Sequence, residues 1–141
     1  MRIRLATAAA VILWLSTAWT SATGPAVQVA PAWRVPASAA TEEPPMAATE
    51  AVLAAGRKVF VSKCQRCHGP TAKGNGPDAD KKHSHHMDLT RADRVDPVGV
   101  VFHKVWNGRQ DPKMPAFGDE LSKEQAWAVV LYVQSLITRK E

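Results

Sequence analysis

Three stretches of the chain repeat apolar residues at intervals of three and four, the spacing of one face of a helix. In the first, Val52, Gly56, Val59 and Phe60 mark successive turns. They follow Thr49, a good N-cap, and Glu50, an acid suited to a first turn. A glycine inside a helix costs about 1 kcal/mol relative to alanine, so Gly56 predicts the close approach of another backbone. In the second stretch Val98, Val101, Phe102, Val105 and Trp106 form the apolar face. Asp96 is the expected N-cap, Pro97 fits the first helical position, and Gly108 can close the helix in a left-handed conformation. The third opens with Ser122-Lys123-Glu124-Gln125, a capping box, and carries Ala126, Val129, Val130, Val133, Leu136 and Ile137. Its expected place is against the first helix. Gly69, Pro70, Gly74, Gly76 and Pro77 break the chain into a loop that runs to His86, and Arg109 to Phe117 is a second loop. The pattern predicts an all-α domain.

The N-terminal part follows other rules. Arg2 and Arg4 precede a mostly apolar, uncharged stretch from Leu5 to Trp19, and small residues follow through Gly24. This is a secretory signal pattern, assigned to residues 1–23, with cleavage after Ala22 or Gly24. The uncharged run reaches Trp33, so an uncut membrane anchor through residues 5–23 is the competing reading. Both place the domain outside the cytoplasm, in the periplasm or on the outer face of the inner membrane. Residues 24–48 are rich in Ala, Pro, Val and Thr, and Pro25, Pro31, Pro36, Pro44 and Pro45 forbid a continuous helix. They read as a disordered tether, with the domain proper at 49–141. The net charge of +5 comes without any Lys/Arg run longer than two, so nucleic acid is not an expected partner.

The candidate chemistry is concentrated in Cys64-Gln65-Arg66-Cys67-His68, which holds both cysteines of the chain. This spacing reads as a c-type haem attachment site. Two thiols on one helical turn can add to the two vinyl groups on one haem edge, and the next side chain then falls under the iron. Cys64 and Cys67 would become thioethers and His68 the proximal ligand. A structural zinc site needs four ligands, usually with a second Cys/His pair, and none has the spacing. A thioredoxin-like dithiol would follow a strand, and none is predicted. His83, His85 and His86 read as a solvated polar tract, with a surface metal or a stray axial ligand as the functional alternative. His103 reads as a partly exposed helix residue. Met114 lies between Pro112 and Pro115. A methionine usually fills an apolar gap, but with a haem present a proline-stiffened loop can hold its thioether at the open side of the iron. Met87 is the other candidate.

With these motifs in this order, the chain resembles the class I c-type cytochromes, specifically the small bacterial monohaem type, over roughly Ala51 to Leu136. Gly56 and Phe60 match that family's N-terminal helix, and Val129 and Tyr132 its C-terminal partner. The resemblance implies a cytochrome c fold, with about three main helices packed around one covalent haem c. It implies His68 and Met114 as axial ligands and Pro77 as the carbonyl that accepts a hydrogen bond from His68. It suggests Arg109 and Trp106 as neighbours of a haem propionate. The implied function is one-electron transfer between a redox protein donor and acceptor by a monomer, not catalysis. The alternatives are an electron-entry subunit of a periplasmic dehydrogenase or oxidase, and a haem enzyme or gas sensor with a labile sixth ligand. Lys63, Arg66, Lys73 and Lys113 lie near the haem-bearing segments and are expected to steer acidic partners.

Overall fold

The computed structural model describes residues 33–110 and 113–138. The expected signal peptide and the first part of the tether, residues 24–32, lie outside the described residues. The long helices are α1 (Glu50–Val59), α4 (Val98–Asn107) and α5 (Lys123–Thr138). Two single turns, α2 (Gln65–His68) and α3 (Ser84–Met87), lie between α1 and α4. No strand is found among the described residues, only isolated bridges that pair Lys73 with Asp88 and Arg109 with Met114. The all-α expectation holds.

The helix ends follow from local chemistry. The Thr49 hydroxyl accepts a hydrogen bond from the Val52 amide at 3.3 Å. In the capping box of α5, the Ser122 amide donates to Gln125 Oε1 at 2.9 Å and the Gln125 amide to Ser122 Oγ at 3.2 Å. The start of α4 differs from the expectation. Pro97, in extended conformation, takes the cap position, and no side chain caps the helix. The Asp96 carboxylate instead accepts from Lys104 Nζ at 2.6 Å. Two turns of helix separate that ammonium from the start of α4, and its charge outcompetes the neutral amides there. Gly108, at φ 61°, ends α4 as expected.

The core is the crossing of α1 and α5. A Cβ on Gly56 would lie 2.0 Å from the Ala128 carbonyl oxygen, so only glycine admits this approach. Phe60, 1% exposed, follows one turn later with its ring centroid 5.6 Å from that of Tyr132. Helix α4 packs on α5 through Phe102, whose ring stacks on Trp127 at 4.1 Å.

The largest departure precedes α1. Residues expected to be tether from 24 to 48 are laid on the domain from Trp33 onward. A 3-10 turn, Ala37–Thr41, rests against α4. Ala39 is fully buried, and its carbonyl oxygen would be 2.2 Å from a Cβ on Gly99. Glu42 Oε2 meets His103 Nε2 at 2.9 Å. Proline does forbid a long helix here, but a short 3-10 turn that starts just after Pro36 needs none.

Candidate functional site

Between α1 and α2 the chain makes a π-type turn, Phe60–Cys64. Such turns are common at functional sites. This one leads from buried Phe60 to Cys64 and Cys67, both half-buried and not bonded to each other. Burial, with a smaller contribution from Cys67, pushes the Cys64 thiol up to about 12. A thiol raised in this way is not activated as a nucleophile.

The loop after α2 folds back onto it. The amides of Gly74, Gly76 and Asp78 donate to the carbonyls of His68, Cys67 and Arg66 at 2.8, 3.3 and 2.9 Å, which satisfies acceptors the helix end leaves open. Ala72 turns the chain at φ 58° while fully buried. Its carbonyl accepts from the Leu89 amide at 2.8 Å, and Lys73 pairs with Asp88. Asp88 Oδ1 in turn accepts from the Thr90 amide and hydroxyl. These bonds deliver the Met87 carbonyl to 2.8 Å from His68 Nδ1.

That contact fixes the imidazole. A carbonyl can only accept, so Nδ1 carries the proton, and in the neutral ring the lone pair is left on Nε2. Burial lowers the His68 pKa and outweighs the opposing effect of the Met87 carbonyl. A neutral ring oriented through its other nitrogen is the form a metal takes as ligand. The expected acceptor, the Pro77 carbonyl, is therefore corrected to Met87. Pro77 is exposed, and its neighbours Gly76 and Asp78 are bound to α2 through Cys67 and Arg66.

Met114 comes from the second loop. The Arg109 and Met114 amides exchange hydrogen bonds with each other's carbonyls, both at 2.8 Å. Beyond it, the Phe117 and Gly118 amides donate to the carbonyls of Val105 and Trp106 at the end of α4. Two adjoining cavities, of about 100 and 240 Å³, share Cys64, His68, His86, Arg109, Met114 and Trp33 in their walls. Cys67, Met87, Lys63 and Lys113 line the smaller one. Phe60, Leu89, Val101, Val105, Val129, Val130 and Val133 give the larger one an apolar wall, with Arg91, Lys104, Asp88 and Asp96 at polar positions.

The donors present fit a covalent haem: two thiols, an available imidazole nitrogen, a thioether, apolar walls and cations for carboxylates. Of the residues expected beside a propionate, Arg109 lines both cavities and Trp106 neither. Trp106 stacks on Phe102 at 5.5 Å and packs against Gly118, because its register on α4 faces the loop rather than the cavity. His85 and His86 are 3.8 Å apart between ring centroids, and His83 Nδ1 meets Asp80. No group of three or more metal-binding side chains is found among the described residues. His103 is half-buried and held by Glu42. Sequence reasoning missed the Met87 carbonyl, for which there is no signal because any residue supplies one. It also missed Trp33, where a lone large aromatic in an Ala/Pro stretch was the available signal.

Residues 51–133 match the family described as cytochrome c oxidase, cbb3-type, subunit III. Among solved structures, the chain is similar to one in the reducing HAO-like protein complex of Kuenenia stuttgartiensis, at 28% identity and a TM-score of 0.56. That likeness covers 66% of this chain and 47% of the other, so the chain spans about half the length of that neighbour. No curated protein matches. No helix among the described residues is long and apolar enough to cross a membrane.

Proposed function

The chain belongs to the cbb3-type cytochrome c oxidase subunit III family, whose members are c-type cytochromes with an all-α cytochrome c fold, and on that premise we propose that it is a monohaem one-electron carrier of the periplasm. Haem c, when bound, supplies a ferric/ferrous couple. Cys64 and Cys67 would hold its vinyl edge as thioethers. His68 would offer Nε2 to the iron, with the Met87 carbonyl keeping the ring proton on Nδ1. Met114 would supply sulfur from the other loop, and a thioether favours the reduced metal and so raises the potential. Were His68 and Met114 both to hold the iron, no position would remain for a substrate, and the function would reduce to accepting one electron from a donor protein and passing it to an acceptor.

The observation that carries this reading is the convergence of Cys64, Cys67, His68 and Met114 on one pair of adjoining cavities. Lys63, Lys113 and Pro115 line the smaller cavity beside Cys67, where a haem edge would be most accessible to a partner. The steering charge there is reduced. Lys63 pairs with Glu120 and Arg66 with Asp78, both at 2.7 Å. Lys73 and Lys113 are exposed and act as the main attractants for an acidic, weakly held partner. A second reading, a fixed electron-entry subunit, is favoured by the family description and by the neighbour's place in a multiprotein complex. Co-purification with a larger redox enzyme in mild detergent decides between them.

Absorbance spectra of the oxidised and reduced protein, with and without carbon monoxide, test the ligation. The reduced native protein is expected to refuse carbon monoxide at neutral pH; prompt binding would identify an open-site haem protein instead. Met114→Ala is expected to keep covalent haem, lose the long-wavelength sulfur–iron band, lower the potential and admit carbon monoxide. A variant that retains the band would transfer the ligand role to Met87.

A further inference from the structure

The segment before α1 contributes to the cavity as well as to the fold. Trp33 lines both cavities, alongside His68 and Met114. The guanidinium of Arg109 lies 4.6 Å from its ring centroid and the ammonium of Lys104 5.4 Å, so one indole holds two cations at the cavity wall. The segment is fastened to α4 behind it. The backbone at Ala39 and Glu42 leaves no room for a side chain on Gly99, and Glu42 pairs with His103. None of these fastening groups lines either cavity, so the fastening and the cavity wall are separable.

We propose that residues 33–42 form a strap that closes one edge of the haem pocket, with Trp33 as a positioning residue that excludes water and holds Arg109 and Lys104 beside the prosthetic group. This rests on the haem reading above and adds a segment outside the matched residues 51–133. Two effects act with the same sign. Ferric haem carries one more positive charge than ferrous haem, so excluding water disfavours the ferric state. Cations held nearby disfavour it too, and they offset the negative charge of the propionates. Lys104 is shared with Asp96, which offsets part of its charge. The strap therefore raises the potential.

The test is equilibrium redox titration of the full-length holoprotein with Trp33→Ala, Trp33→Phe and Gly99→Ala. Trp33→Ala is expected to keep covalent haem on a denaturing gel and the native sulfur–iron band, yet to shift the midpoint to lower potential. Trp33→Phe should recover most of that shift, because a smaller aromatic ring still covers the edge and attracts cations. Gly99→Ala keeps every cavity residue and favours helix α4 intrinsically, but its Cβ displaces the strap; it should shift the midpoint in the same direction. An unchanged potential in Trp33→Ala with haem and band intact overturns the proposal. So does a native potential in Gly99→Ala, or a Trp33→Phe shift as large as that of Trp33→Ala. Absence of haem from the native protein would instead remove the haem reading itself, a different readout.

Discussion

The double substitution Cys64→Ala, Cys67→Ala, expressed in a cell able to export the chain and attach haem, is expected to give a colourless and largely unfolded domain. The larger cavity alone is about 240 Å³ and is walled by Phe60, Val105, Val129 and Val130, side chains that also belong to the hydrophobic core. At ~24 cal/mol per Å³ of unfilled space, that volume corresponds to an upper figure of about 6 kcal/mol. The cavity is partly open to solvent, so the real cost is smaller. Against a total stability of roughly 5–15 kcal/mol for a whole domain, even part of that figure is a large fraction. A covalent haem stays attached in the unfolded chain too, so it offsets that deficit by burying its apolar faces in the cavity when the domain folds, not by mass action. Loss of the haem-stained band and of far-ultraviolet helical signal would be seen together. Native helicity in the colourless variant would show that the helices stand without the prosthetic group.

Gly56→Ala is expected to be strongly destabilising. Its Cβ would sit 2.0 Å from the Ala128 carbonyl oxygen and 2.9 Å from Tyr132 Cβ. Both obstacles are backbone or the root of a side chain, so neither can swing aside. Alanine gains about 1 kcal/mol in intrinsic helix preference, which sets the two effects against each other. Overpacking of a closed contact costs typically 1–3 kcal/mol, occasionally more. Relief here requires moving α1 and α5 apart by an ångström or so along their whole contact, so a net loss of about 3 kcal/mol is expected. Denaturant unfolding of the holoprotein measures it, with the midpoint lowered at an unchanged slope. A variant as stable as the native protein would mean that the helices do not meet at this residue.

These two sites show where the sequence was informative. Gly56 was readable because a glycine amid helical periodicity has a cost that something must offset, and close backbone approach is the usual reason. The attachment motif was readable because five adjacent residues carry the whole chemistry. The capping box at Ser122 was readable for the same reason of locality. What was not readable depends on the path of loops. Pro77 and Met87 both follow His68 in one loop, and which carbonyl reaches the imidazole is decided by the turn at Ala72 and the Lys73–Asp88 bridge. Trp106 has the right spacing for the apolar face but sits at its margin, and a small rotation of α4 decides whether it meets Gly118 or the cavity. The strap was hidden because composition speaks only to what a segment does alone. Five prolines argue against helix, and the features that hold the strap down, Gly99 and His103, lie some sixty residues away on another element.

The reciprocal pair of amide bonds between Arg109 and Met114 has a bearing on how the protein yields under stress. That loop is closed by its own bonds and joined to the end of α4 by two more, while the crossing of α1 and α5 depends on neither. Local opening can therefore carry Met114 away from the cavity at far less cost than global unfolding. Mild denaturant would then first release this loop while the helices still stand, so amides at Arg109 and Met114 would exchange with solvent long before those of Val129 and Val130. In such a sequence of events the hinge that presents Met114 gives way first, and the helix crossing last.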